Sequence, residues 1–264
     1  MEELQRKIEQ VLAAYTGRWG IVIVKQTTGN RMELNQEMVF PAASMIKVPI
    51  MYEVMRQVAV GMITLDMPLV VTESARAGGA GILKELRPNI TMSVRELVTL
   101  MIVLSDNTAT NMLIELVGME AVNQTIANLG MKSTVLRRRM MDFEAAWDGK
   151  ENETTAADLA LLFERIYSGA GLPQEYGALM LDILTRQQVR DKLPFYLPEE
   201  TVIANKTGTL PGVEHDAGIL FLPGGPYIIS ILTGDLAANH QGIQLVASIG
   251  KVIYEHLTLS KTGR

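Results

Sequence analysis

"TVIANKTGTLPGVEHDAGILFLPGGPYIISILTGDL", residues 201–236, decides the fold. Three β-rich runs stand in it, "TVIANKTGT", "HDAGILFLPG" and "YIISILTGDL", separated by Gly and Pro. That punctuation predicts consecutive strands joined by turns. A second strand signal lies near the opposite end: "WGIVIVKQ" (19–26), the turn "TTGN", and the returning "RMELNQ" (31–36). From about 44 to 188 the period changes. "SVRELVTLMIVL", "TATNMLIELV", "MEAVNQTIANL" and "AADLALLFERIYS" each carry a helical apolar stripe. Ser93 with Glu96 has capping-box spacing, and Thr155 with Asp158 resembles one.

The first residues, "MEELQRKIEQVLAAY", place Leu4, Ile8, Val11 and Leu12 at helical spacing, and a last helix is predicted over about 241–257. Strands from both ends and a helical insert imply an α+β fold, with one antiparallel sheet of about five strands assembled from the two termini. The terminal helices would cover one face, and the helical block would cover the other or sit beside it. We divide the chain into a sheet subdomain (1–43 and 196–264) and a helical subdomain (44–195), with the active site between them. Residues 131–153 fit neither period and read as a functional Ω-type loop.

At 264 residues and 48% hydrophobic, the chain can bury a large core. A net charge of −5 argues against general affinity for nucleic acid. No cysteine is present, which excludes disulfides and thiolate catalysis. His215, His240 and His256 are far apart and give no metal-ligand spacing, so neither a metal nor a cofactor is expected. No apolar run reaches the roughly 20 residues of a membrane helix, and the N-terminal segment lacks the apolar stretch of a signal peptide. The compartment stays open between export with a trimmed leader and the cytoplasm.

Three short motifs carry chemistry, each with an ordinary structural reading beside it. In "FPAASMIKVPIMYEV" (40–54), Lys47 follows Ser44 by three residues, which puts an amine beside a hydroxyl on one helical face. Burial and a helix N-terminus both disfavour the ammonium, so Lys47 could be a neutral base for Ser44. Pro49 predicts an irregular first turn. A second such pair, "SIGK" at 248–251, sits on the polar side of the last helix and reads as structural. "SDN" at 105–107 offers a hydroxyl and an amide at a helix junction, or simply an N-cap cluster. "KTGT" at 206–209 combines a cation, a hydroxyl and a glycine that leaves room for a ligand. Its decoy, "KTG" at 261–263, lies at the chain end.

Taken in order, "SMIK", "SDN" and "KTG" resemble the penicillin-recognising serine hydrolases, and class A β-lactamases in particular, over nearly the whole chain. The resemblance implies a β-lactamase/transpeptidase-like fold and an acyl-enzyme mechanism. Ser44 would be acylated, Lys47 would exchange its proton, and Ser105 with Lys206 would pass a proton to the lactam nitrogen. Asn107 would bind the substrate amide, and Thr207, beside Gly208, the substrate carboxylate. The N–H groups of Ser44 and Thr209 would form the oxyanion hole. It implies a small-molecule β-lactam or related acyl substrate, a monomer, no membrane insertion and an exported or periplasmic location.

Three departures stand out. Counting along the Ω-loop, Arg138 matches the family's opening arginine and Glu153 its closing acid, but Met140 fills the position of the water-activating glutamate. Glu144 is the expected substitute base, with Asp142 beside it; the alternative is that both only pair with Arg137 to Arg139. His215 stands where many relatives place an arginine for the substrate carboxylate, leaving that role to His215, Arg190, Lys192 or Thr207. "AGGAG" (77–81) suggests an open mouth. Hydrolysis of β-lactams is therefore the leading reading. A D-alanyl-D-alanine peptidase or esterase, or a penicillin-binding protein that accumulates the acyl-enzyme, is the alternative.

Overall fold

A computed structural model of the chain describes residues 1–259. Its helices are α1 (Glu2–Leu12), α2 (Lys47–Ala59), α3 (Val94–Val103), α4 (Asn107–Val117), α5 (Met119–Leu129), α6 (Phe143–Trp147), α7 (Ala156–Ser168), α8 (Gln174–Thr185) and α9 (Asn239–Leu259). The strands are β1 (Arg18–Lys25), β2 (Arg31–Leu34), β3 (Phe40–Pro41), β4 (Pro68–Val71), β5 (Ile90–Ser93), β6 (Glu153–Thr154), β7 (Ile203–Leu210), β8 (Val213–Leu222) and β9 (Gly225–Gly234). The main sheet runs β2-β1-β9-β8-β7 with every neighbouring pair antiparallel. Pairing of β1 with β9 closes the sheet from the two chain ends, as the sequence predicts.

β1 shows why. Its "IVIV" run is apolar on both sides because both faces are covered. Ile21 and Ile23 pack with Leu4 and Ile8 of α1 and Val246 and Ile249 of α9, while Val22 and Val24 join the cluster of the helical block. Ser93 and Glu96 form the full capping box of α3. Thr155 caps α7 with its side chain alone, since the Asp158 carboxylate instead accepts from Lys132, Ser133 and Thr134.

The decoys resolve quietly. Lys251 of "SIGK" is exposed and pairs loosely with Glu255 on α9. The second "KTG" lies outside the described residues. β7 ends the sheet, so one edge of its backbone has no strand partner and is open to a ligand.

Candidate active site

Ser44 stands on a 3₁₀ turn, Ala43–Ile46, that leads into α2 at Lys47. The irregular start expected from Pro49 is present. Proline costs α2 nothing there, because the first-turn N–H groups have no intrahelical acceptor. Ala43 has φ +46°, a left-handed conformation that costs a non-glycine residue about 1–3 kcal/mol and concentrates at functional sites. The turn is held from outside: the Ala42 N–H donates to Asn152 O at 2.7 Å. Gly208 of β7 passes close by. A Cβ added there would lie 3.2 Å from both Ala43 Cβ and Met45 Cγ, so glycine is what lets the edge strand reach the serine turn.

Lys47 is fully buried, and its amine meets three acceptors: Ser105 O at 2.6 Å, Ser105 Oγ at 3.0 Å and Asn107 Oδ1 at 2.8 Å. These match the three donors of an ammonium, and none is Ser44. Burial pulls the Lys47 pKa from 10.5 to about 7, with the nearby Asp106 carboxylate opposing. The amine is thus poised to take or give a proton near neutrality. On the other side of Ser105 Oγ, at 3.1 Å, lies the amine of Lys206, also fully buried. Burial, followed by the charges of Lys47 and Lys192, holds Lys206 well below its ordinary range. Ser105 (φ +56°) therefore presents one hydroxyl between two lysines.

The cap reading of "SDN" holds for one of its three residues, and the other two turn inward. Asp106 is the N-cap of α4, accepting from the Ala109 N–H at 2.9 Å, while Ser105 and Asn107 turn toward Lys47. The glycine-rich segment 77–81 is stitched to this loop and lines the cavity at Gly79 and Ala80. Asn107 Nδ2 donates to Gly78 O, and the Asn107 N–H to Ala80 O. A Cβ at Gly79 would lie 2.7 Å from Asn107 Nδ2 and 2.8 Å from Met141 Sδ. Glycine here permits close approach, which sequence alone could not separate from openness.

A cavity of about 510 Å³ lies where the serine turn and Asn107 meet the surface. Ser44, Asn107 and Thr209 line it, with Ala80, Leu210 and Asn239, and the Ω-loop supplies Met140, Met141 and Phe143. The loop is firmly tied. Arg138 pairs with Glu151 at 2.7 Å and Arg137 with Glu153 at 2.5 Å, so the matched residues Arg138 and Glu153 each have another partner. Asn111 grips Met140 from both sides, its Oδ1 accepting the Met140 N–H at 2.8 Å and its Nδ2 donating to Met140 O at 3.1 Å.

Glu144, the expected substitute base, is exposed on α6 and does not line the cavity. Asp142 is spent capping α6 through the Ala145 N–H, and the three loop arginines pair with Glu151, Glu153 and Glu115 instead. Neither reading offered for Asp142 and Glu144 holds, because α6 turns their side chains outward. Asn111, absent from the sequence reading, had a signal: it follows Asn107 by one helical turn on α4.

His215 also departs from expectation. It is fully buried and cannot meet a substrate. Its Nε2–H donates to Pro41 O at 2.8 Å, and its Nδ1 accepts the Thr233 N–H at 3.2 Å, so both nitrogens of a neutral ring are used. The ring packs edge-on to Phe40, joining the sheet to the strand that enters the serine turn. Of the other candidates for an anion, Arg190 is exposed and Lys192 buried.

Burial drives the His215 pKa from 6.5 down to about 4. An unfolded chain therefore takes up this proton first, and stability falls as pH drops through the window between those values, by a full difference of roughly 3 kcal/mol. Asp216, whose pKa burial raises to about 7, works in the opposite sense over the same range. Glutamine can supply one donor and one acceptor but does not titrate. Thermal unfolding followed from pH 7 to 4 should thus show His215→Gln gaining on the wild type as pH falls. Parallel curves would mean that the imidazole is not held neutral.

An antiparallel sheet closed from both chain ends, with its edge strand beside a Ser-x-x-Lys turn and a Ser-Asp-Asn loop, is the architecture of the β-lactamase/transpeptidase-like serine hydrolases. The chain belongs to the beta-lactamase enzyme family, whose model matches residues 3–257. A β-lactamase of Streptomyces albus G is 26% identical over 97% of this chain and 85% of its own. The β-lactamase of Sphaerobacter thermophilus superposes with a TM-score of 0.89 at 33% identity, covering 98% and 97% of the two chains. A leucine-to-glutamate variant of PBP-A, solved as its acyl-enzyme complex with penicillin G, gives 0.89 at 30% identity and 97% of each chain.

Proposed function

We propose that the protein is a serine hydrolase that opens β-lactam rings by acylating Ser44 and releases the acyl group slowly. The observation that carries this reading is the unbroken chain Lys47–Ser105–Lys206, joined through Asn107 to the cavity that Ser44 lines. Ser44 Oγ attacks the lactam carbonyl and gives its proton to the neutral Lys47 amine. The C–N bond then breaks, and Ser105, backed by Lys206, hands a proton to the departing nitrogen. The N–H groups of Ser44 and Thr209 receive the oxyanion, a contribution of about 2.7–4 kcal/mol per donor. Water later attacks the ester and restores Ser44.

That last step is where the site is poor. Within the cavity the Ω-loop offers Met140, Met141 and Phe143, and no carboxylate from this loop lines it. Missing general-base help slows a step by about 10²–10⁴. This favours a penicillin-binding mode in which the acyl-enzyme accumulates, and a peptidase or esterase with the same acylation chemistry fits equally. Similarity to PBP-A supports it. The substrate is a small acyl compound and one chain suffices, since every group invoked belongs to it.

Mixing the protein with a chromogenic cephalosporin while following absorbance and intact mass tests this. A stoichiometric burst is expected, with a lasting mass increase that maps to the peptide containing Ser44. Sustained colour without an adduct would overturn slow release, and no reaction at all would overturn the lactam reading.

A further inference from the structure

The end of the cavity that receives the leaving group carries an unusual charge arrangement. The departing nitrogen must lie near Ser105 Oγ and Lys206, and Lys206 shares β7 with Thr209, which lines the cavity beside Leu210 and Asn239. Directly behind Thr209 lie Lys192 and Glu214, each 1% exposed, with Nζ and Oε2 2.7 Å apart. Every polar atom of the pair is engaged. Lys192 also donates to Thr209 Oγ1 at 3.0 Å and Gly208 O at 3.2 Å. Glu214 accepts from the Thr209 hydroxyl at 2.8 Å and from Asn239 Nδ2 at 2.7 Å.

No other free cation faces this end among the described residues. His215 is occupied by backbone on both nitrogens, and Arg138, which does line the cavity, is held by Glu151. Lys206 donates to Ser105 and Thr207 O, and burial disfavours its charge. An anionic substituent would meet hydroxyls and an amide. It would also approach a buried carboxylate whose charge cancels that of Lys192.

We propose that Glu214 sets the charge selectivity of the site: by pairing with Lys192 beneath Thr209 it leaves the leaving-group end without net positive charge, so neutral acyl donors are accepted nearly as well as anionic ones. The substrate class thus extends to lactams and esters whose leaving side bears an ester or amide in place of a carboxylate. Glu214 acts through Lys192 and Thr209 and is a positioning residue. The inference rests on the acylation reading above.

The test compares benzylpenicillin with its methyl ester, taking acylation rate constants from intact mass at low and high salt. For the wild type the two rates should agree within about threefold and respond little to salt. Glu214→Gln uncovers the Lys192 charge. It should shift the ratio about tenfold toward the acid and make that preference fade at high salt. Adding Lys192→Met should return the ratio to the wild-type value, a reversal that damage to packing would not produce. Wild-type preference for the acid by more than about thirtyfold overturns the inference while leaving the acylation reading intact. Reaction with neither compound removes both.

Discussion

Replacing Met140 by glutamate should shorten the lifetime of the acyl-enzyme by about 10²–10⁴, with little change in the rate at which it forms. The position is set by the backbone, which Asn111 holds from both sides and the Arg138–Glu151 pair secures next door. A new side chain there inherits the place of the methionine, 9% exposed and lining the same cavity as Ser44. A thioether cannot take a proton from water, whereas a carboxylate can. Met141 and Phe143 would raise the pKa of that carboxylate by desolvation, strengthening it as a base. Burying the group without a dedicated partner carries a stability cost, read as a lower Tm. The decisive measurement is decay of the mass adduct after excess lactam is removed. Decay at the wild-type rate would show that activation of water is not the slow step.

Legibility in the sequence follows how local the physics is. β1 and β9 could be placed because β-rich runs bounded by turn residues are local signals, and the capping box of α3 needed only Ser93 and Glu96. The motifs that meet in the Lys47–Ser105–Lys206 cluster were readable because each keeps its parts within four residues. Charges that find partners across the fold were not. Glu151 and Glu153 stand two residues apart, yet Glu153, bridged to Val135, meets Arg137 while Glu151 meets Arg138. No count along the chain supplies that register. His215 read as a ligand for an anion because its burial depends on β3 and β9 closing over it. Glu214 drew no notice, since its partner Lys192 lies before β7 and the two meet only once β7 and β8 have paired. The glycines at 78 and 79 were ambiguous for a different reason: absence of a side chain serves openness and intimacy alike.

Lys47→Met should reduce acylation by about 10²–10⁴ while preserving the fold, because methionine fills the buried volume but can neither carry nor accept a proton. The wild-type rate should depend on pH with a defined sign. Burial places the Lys47 pKa at about 7, and only the deprotonated amine can accept the Ser44 proton. Acylation should therefore rise through that value and fall about tenfold for each further pH unit below it. Asp106 opposes the burial effect, so Asp106→Asn should move the acidic limb lower while retaining a residue that still caps α4. The Lys47→Met profile then discriminates between the two lysines that share Ser105. Loss of the limb assigns the titration to Lys47. A limb that survives at reduced rate would assign it to Lys206, whose amine lies 3.1 Å from the same hydroxyl. Ser105 would in that case have to be the group that draws the proton away from Ser44.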